Sequence, residues 1–592
     1  MYKYQGYLFN SIPPLKLQGK NMEKWVVAAK KADFQGISNR FGVDPVIARL
    51  IRNREQITDE EIDVYLHGKL RNLHSWKELK GIDELLNILI QKIQQEKKIR
   101  IIGDYDIDGV CSTYILLQGL KKAHALVDID IPDRMKDGYG ISKELIERAY
   151  EKGIDTIITC DNGISAMEQI DYAKEKNMTV LVTDHHEIPY EEKEDGSIER
   201  FLPNADAIVN PKQEGCPYPF KEICGAMVAF KVVWGLFEKL GIPLSEIEEL
   251  IPFAAIATVG DVMDLVDENR ILVKEGLRRI QNTNNEGLKA LICVNNLENR
   301  EITAYHIGFV LGPCINASGR LSTAKRALEL LLSKDTKEAS VLAEDLKELN
   351  DSRKDMTVKG VEKAVEIIEN TDLKEDRVLV VYLPECHESL AGIIAGRIRE
   401  KYTKPVFVLT KGEEGVKGSG RSIEAYHMFQ EMVKCKELLA KFGGHPMAAG
   451  LSMEEENIEK FRKKLNENCT LTEEDMVEKI VIDVPMPMSY VTIPLIRQLG
   501  QLEPFGKGNT KPIFAQKDIR FSNCKVFGKN RNVVKMKAQD GFGFGAECIW
   551  FGDGDKFLER LKEKDVWDVI YYPSVNSFQG RESIEMIIQN IR

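Results

Sequence analysis

Three short β-branched runs in this 592-residue chain each end on acidic or imidazole side chains. Ile101-Ile102 leads to Asp104, Asp106 and Asp108, residues 156–159 lead to Asp161, and residues 179–183 lead to Asp184, His185 and His186. A fourth apolar run covers residues 207–209, and helical patterns fill 142–152 and 165–176. Buried strands alternating with helices predict a parallel sheet covered on both faces. Ligands of such sheets bind beyond the carboxyl ends of the strands, which is where all three acidic groups fall.

The first group is the most demanding. In the stretch RIIGDYDIDGV (100–110), alternating aspartates in an extended segment would point to one side. Carboxylates crowded on one face repel each other unless cations sit among them. An EF-hand loop is excluded, because position twelve counted from Asp104 is Ile115 and residues 98–103 read as a strand. Asp261, in AIATVGDVMDL, follows an apolar helical stretch; alone it would be a helix cap, and beside three loaded strand ends it becomes a fourth contributor. Asp264 and Asp267 read as solvated or capping residues. Carboxylates with one or two histidines suit Mn²⁺, with Mg²⁺ as a substitute, and no thiolate cluster points to zinc. Two ions bridged by a shared carboxylate would activate water and neutralise charge on a phosphoryl group, so phosphoester hydrolysis is the reaction class.

The length implies several domains, and 43% hydrophobic with 30% charged residues describes a folded chain. A net charge of -11 excludes whole-surface attraction to nucleic acid but not a local channel or a field reversed by bound cations. Eleven dispersed cysteines without a C-x-x-C pair fit reduced thiols in a cytoplasm. The first twenty residues contain no apolar signal core and no stretch is long enough to span a bilayer, so a cytoplasmic protein is expected. Residues 1–95 read as a helical cap packed on the first large domain, which occupies 96–332. The charged helical pattern of 333–370 would run about 50 Å at ~1.5 Å per residue, as a connector between two lobes. A second α/β unit covers 371–470, with strands at 378–383 and 406–410 and a helix at 390–401. Residues 471–592, with short alternating segments and glycine turns, predict a small β-barrel.

GDYDIDG, CDNG, TDHH and GDVMDL, in that order after successive strands, resemble the four motifs of the DHH phosphoesterases. The segments 218–231, 267–270 (DENR), 316–321 (NASGRL) and 442–450 (FGGHPMAAG) extend the similarity, toward the single-stranded-DNA exonucleases of that family, over most of residues 40–520. The resemblance implies an α/β architecture of two lobes, a parallel-sheet DHH domain and a DHH-associated domain, joined by a long helix and followed by an OB-fold. It implies metal ligation by Asp106, Asp108, Asp161, His185 and Asp261, with Asp161 bridging two Mn²⁺ ions and Asp104 either ligating or supporting. Asp184 would orient a histidine and His186 would meet the substrate phosphate. Asn316, Arg320, Ser419, Arg421, Gly443, Gly444 and His445 would contact the strand. Cys314, where arginine is common, and HESLAG (387–392), in place of a His-Pro-Gly or His-Gln-Gly form, depart from the pattern at presumed substrate contacts.

The implied activity is 5′→3′ exonucleolytic hydrolysis of single-stranded DNA in repair and recombination, by a monomer cooperating with a RecQ-type helicase and a single-strand-binding protein. Lys525, Lys529, Arg531, Lys535 and Lys537, interleaved with Phe521 and Phe527, fit strand binding by the tail. The alternatives are a phosphodiesterase of short oligonucleotides or cyclic dinucleotides, whose relatives generally lack the cap and tail, and a noncatalytic single-strand binder, whose relatives lose metal ligands retained here.

Overall fold

Five strands, β1 (Lys98–Ile102), β2 (Leu126–Asp130), β3 (Thr156–Cys160), β4 (Thr179–Thr183) and β5 (Ala207–Val209), form one parallel sheet in the order β2-β1-β3-β4-β5. The computed structural model that shows them describes residues 23–592 apart from 134–136, 138–139, 194–196, 413–414 and 579. The part of the expected N-terminal cap at 1–22 therefore lies outside the described residues. The chain forms two units, one of residues 56–352 and 502–511, the other of residues up to 55, 353–501 and 512–592.

In the first unit the interior strands are buried along nearly their whole length because both faces are covered. On one face α1 (Ile107–Lys122), α4 (Gly225–Leu240) and α5 (Ile251–Gly260) share a core with Ile99, Ile101, Ile158 and Leu181. On the other, α2 (Lys143–Glu151) and α3 (Met167–Glu175) bury Leu145, Ile146, Ile170 and Ala173 against Ile102, Ile157, Val180 and Val182. Strand β2 is absent from the sequence-based reading. Its LVDID sequence alternates apolar and acidic residues because it is an edge strand, and Asp128 forms a paired salt bridge with the buried Arg100 of β1. Helices α4 and α5 lead to α6 (Asp267–Ile280) and α7 (Gly312–Leu321). A fully buried ion pair, Lys231 Nζ to Glu268 Oε2 at 2.9 Å, ties α4 to α6.

Helix α8 (Thr336–Asn370) is a single element of 35 residues. The second unit continues with β6 (Leu379–Tyr382), α9 (Ala391–Tyr402), β7 (Val406–Lys411), β8 (Val416–Arg421), β9 (Lys441–His445) and β10 (Ala448–Met453). These strands build a mixed sheet in the order β9-β10-β8-β7-β6, in which β6 and β7 are parallel and the other pairs antiparallel. Next, β11 (Phe514–Phe527), β12 (Val533–Gln539), β13 (Gly545–Phe551), α10 (Gly554–Leu561), β14 (Trp567–Phe578) and β15 (Arg581–Ile591) follow. Strand β11 pairs with both β12 and β14, so the sheet closes as a five-stranded barrel, β11-β12-β13-β15-β14-β11. Closure leaves no unpaired edge, as expected for an OB-type barrel.

The N-terminal segment is not purely helical. Lys24–Val27 forms a strand parallel to Lys479–Ile482, and the buried Arg54 and Asp483 form an ion pair nearby. A four-residue strand whose partner lies some 450 residues away has no local signature. Residues 23–55 group with the second unit and residues 56–95 with the first.

Candidate metal centre

The three aspartates after β1 converge by a route other than strand alternation. Strand β1 stops at Ile102, and Asp106 occupies the N-cap of α1, where its carboxylate accepts from the N–H groups of Asp108 (2.9 Å) and Gly109 (3.1 Å). Asp108 then lies in the first helical turn. Gly109 permits the close turn, since a Cβ there would lie 2.5 Å from the carbonyl oxygen of Asp104. Asn316 of α7 accepts from the Ile107 N–H at 2.8 Å, so this residue fastens the loop between two aspartates. Asp108 accepts from the Gly225 (2.6 Å) and Ala226 (2.7 Å) N–H groups, donors of the α4 N-terminus that have no partner within the helix.

Asp161 follows β3 with φ at 62°, a left-handed conformation that aspartate tolerates better than most residues. Gly225 passes close to it: a Cβ there would lie 2.7 Å from the Asp161 Cβ. After β4, His185 Nε2 sits 3.0 Å from Asp161 Oδ1, 3.5 Å from Asp108 Oδ2 and 3.9 Å from Asp261 Oδ2. Asp261 is at once the C-cap residue of α5 and the fifth carboxylate of the cluster. Asp184 accepts from the N–H groups of Ile164 (2.9 Å), His185 (2.7 Å) and His186 (3.1 Å), and from His186 Nδ1 at 2.8 Å. The histidine that Asp184 orients is therefore His186.

The ligand atoms of Asp108, His185 and Asp261, of Asp104, Asp106 and Asp161, and of Asp161, His185 and His186 form three overlapping groups, each within 4.8 Å. Asp161 joins two of them. Burial, and then repulsion from Asp106, push Asp104 up to about 8. Burial with repulsion from Asp108 and Asp106 pushes Asp261 to about 8 as well. Asp106 and Asp161 are raised by burial and by neighbouring carboxylates. Hard oxygen donors that cannot share one site as anions, beside an imidazole, fit divalent cations such as Mn²⁺ or Mg²⁺. Burial also pushes His185 below its ordinary value, which favours the neutral ring. His186 behaves oppositely: although burial opposes it, the hydrogen bond to Asp184 and the surrounding carboxylates push it up to about 9. Asp184, despite burial, is held low by His186.

The second unit groups other expected contacts. Ser419 and Arg421 lie on β8, where Arg421 Nη1 donates to Ser419 Oγ at 3.1 Å. A Cβ on Gly392, in the first turn of α9, would lie 2.7 Å from Arg421 Nη2 and 2.9 Å from Ser419 Oγ, so guanidinium, hydroxyl and helix N-terminus meet. Burial and the neighbouring Arg399 lower the Arg421 pKa. In HESLAG, His387 Nδ1 pairs with Ser389 Oγ at 2.8 Å and Glu388 with Lys417 at 2.8 Å. Gly443, Gly444 and His445 are exposed on edge strand β9, where each pairs with β10. Arg320 ends α7, partly accessible. Cys314 is buried, its thiol 3.2 Å from the Val310 carbonyl and its sulfur accepting from Asn350 Nδ2 at 3.4 Å. It belongs to the core and not to a substrate face. In the barrel, Arg531 is engaged by Asp555 through two bonds of 2.6 and 2.7 Å, whereas Phe527 stays exposed.

Sequence reasoning passed over two buried asparagines. Asn162 Nδ2 donates to the carbonyls of Ile102 (3.1 Å) and Cys160 (2.9 Å), joining the ends of β1 and β3. Asn210, directly after β5, donates to the His186 carbonyl at 3.0 Å. Its position at a fourth strand end was the available signal.

Three family models match in succession: the DHH family, N-terminal domain, over residues 98–258, the DHHA1 domain over 375–470 and the RecJ OB domain over 482–590. A Bacillus subtilis relative named single-stranded-DNA-specific exonuclease RecJ is 35% identical over 572 residues, 96% of this chain and 70% of its own. The chain belongs to the RecJ family. A RecJ of the same description from Haemophilus influenzae is 32% identical over 94% of this chain and 97% of its own. The crystal structure of Thermus thermophilus RecJ in complex with Mn²⁺ matches with a TM-score of 0.80 at 28% identity, covering 96% of this chain and 79% of that one. Its Mg²⁺ complex matches with a TM-score of 0.76. No described helix of this RecJ-family chain is long and apolar enough to cross a membrane, and no disulfide joins its eleven cysteines.

Proposed function

We propose that this chain is a metal-dependent exonuclease of single-stranded DNA, acting from the 5′ end and serving repair and recombination. The observation that carries the reading is the meeting of Asp108, Asp161 and Asp261 around His185 Nε2 within 3.9 Å, in a chain of the RecJ family. Asp106, Asp108, Asp161, His185 and Asp261 would hold two Mn²⁺ ions, or Mg²⁺ in their place, with Asp161 between them and Asp104 ligating or supporting. Bound ions supply an activated water and neutralise the charge that develops on the phosphoryl oxygens. The residues do the rest. The α4 N-terminus and Asn316 keep Asp108 and Asp106 in place. Asp184 orients His186, whose half-exposed ring can donate to a phosphate oxygen. Arg421, Ser419 and the α9 N-terminus would take a further phosphate of the strand, with Arg320, Gly443, Gly444 and His445 along its path.

On this reading residues 96–332 are the catalytic domain, 333–370 the connecting helix, 371–470 the nucleic-acid-binding domain and 471–592 the OB-fold. The protein works as a cytoplasmic monomer, with a RecQ-type helicase and a single-strand-binding protein supplying its substrate.

The test uses a long single strand labelled at its 5′ end, a 3′-labelled copy and a matching duplex, each with Mn²⁺ and with wild type or Asp161→Ala. Immediate release of 5′-labelled mononucleotide from the single strand alone, abolished by the substitution, is the expected result. No cleavage of any long strand would overturn it. Activity confined to short oligomers would indicate a small-substrate phosphodiesterase, and binding without cleavage a noncatalytic binder.

A further inference from the structure

We propose that Asn269 is a positioning residue of the metal centre, an amide clamp that fixes the Asp261 segment relative to the segment anchoring Asp108. The inference rests on the metal-dependent reading above. Asn269 is fully buried in the first turn of α6, and its Nδ2 donates to the carbonyl of Glu222 at 2.7 Å and to that of Asp264 at 3.1 Å. Glu222 stands three residues before Gly225, whose N–H, with that of Ala226, grips the Asp108 carboxylate. Asp264 stands three residues after Asp261. A neutral amide brings two donors on one nitrogen, which is what joining two carbonyls requires.

The Asp261 segment needs such a tie. Val262, directly after Asp261, has φ at 58°, and a β-branched residue keeps that conformation only when its surroundings impose it. The neighbours of Asn269 in the DENR motif serve other contacts. Glu268 is buried with Lys231 and the Tyr218 hydroxyl. Arg270 donates to the carbonyls of Tyr65 (3.1 Å) and Leu502 (2.9 Å). These bonds seat α6. The Asn269 side chain reaches both metal-bearing segments.

Calorimetric titration of the metal-free full chain with Mn²⁺, without DNA, tests this in Asn269→Leu and in Asn269→Ser, which keeps a single donor. Tyr218→Phe is the control, since it removes a bond at Glu268 and leaves both Asn269 bonds in place. Loss of a partner that orients a ligand typically costs about 10–100-fold in metal affinity. Asn269→Leu is expected to show a loss of that size for at least one ion, Asn269→Ser a smaller one, and exonuclease activity should recover as Mn²⁺ is raised. Tyr218→Phe should melt at lower temperature yet bind Mn²⁺ as wild type does. A wild-type isotherm in a folded Asn269 variant, or an equal loss in Tyr218→Phe, would overturn the proposal. If wild type itself binds no Mn²⁺, the metal-dependent reading fails instead.

Discussion

His185 Nε2 lies 3.0 Å from Asp161 Oδ1, a neutral ring nitrogen against a carboxylate raised by burial and by its acidic neighbours. Each member of the pair belongs to two of the three ligand groups, so removing Asp161 should affect metal binding and stability in opposite directions. Asp161→Asn should lose Mn²⁺ affinity and on the order of 10³-fold or more in rate, the equivalent of several kcal/mol of charge stabilisation. Metal-free Asp161→Asn should melt above metal-free wild type, because one buried, repelling carboxylate is gone. Calorimetry with Mn²⁺ and thermal melts in a chelator measure both. A variant that binds Mn²⁺ normally would sink the assignment.

The same crowding gives the metal-free protein an unusual dependence on pH. Asp104 and Asp261 titrate near 8 in the folded chain, against 3.8 ordinarily. Between these limits the folded state holds protons that the unfolded state has released, so stability falls as pH rises from about 4 to about 8. Mn²⁺ should reverse this trend, with proton release on binding below pH 8. Melting temperatures at several pH values, with chelator and with Mn²⁺, test it; a metal-free melting point that climbs steadily with pH across this window would contradict it.

Asp184 and His186 offer a separate test of electrostatics. With the 2.8 Å bond intact, His186 in the metal-free chain titrates near 9, and Asp184→Asn should return it toward its ordinary 6.5. Wild type should then keep a charged His186 at neutral pH, while the variant loses it. An NMR titration of the ring protons decides, and a value still near 9 in the variant would mean that other carboxylates, not Asp184, hold the proton.

Much of this centre was legible in the chain because acidic and imidazole residues follow β1, β3 and β4 within a few positions, and parallel strands bring such ends to one edge. The placement of Asp261 came less directly, since the end of an apolar helix is also an ordinary place for a capping aspartate. What could not be read were bonds whose partners are remote in sequence. Asn316 to Ile107 spans 209 positions and Gly225 to Asp108 spans 117. The acidic edge strand β2 hid because its aspartates pair sideways with Arg100 of β1 and with Arg148 and Lys325. Cys314 reads as a lost substrate contact because arginine is common at that place in the family pattern, whereas its sulfur turns inward to Asn350.

Arg421 tests the strand-holding role of the second unit without touching the metal centre. Its guanidinium stands beside Ser419 Oγ and the first turn of α9, three features that favour an anion. Losing a charge-assisted hydrogen bond costs about 1.5–3 kcal/mol, or roughly 10–100-fold in KM if that bond is made equally in ground and transition states. Arg421→Gln should therefore raise KM for a long single strand by that factor, with kcat and the Mn²⁺ isotherm little changed. Arg421→Lys should fall between, because an ammonium keeps the charge and loses the planar fork. Steady-state kinetics on a labelled strand separate the outcomes: an unchanged KM in both variants would remove Arg421 from the substrate path, and a fall in kcat alone would place it at the reacting phosphate instead.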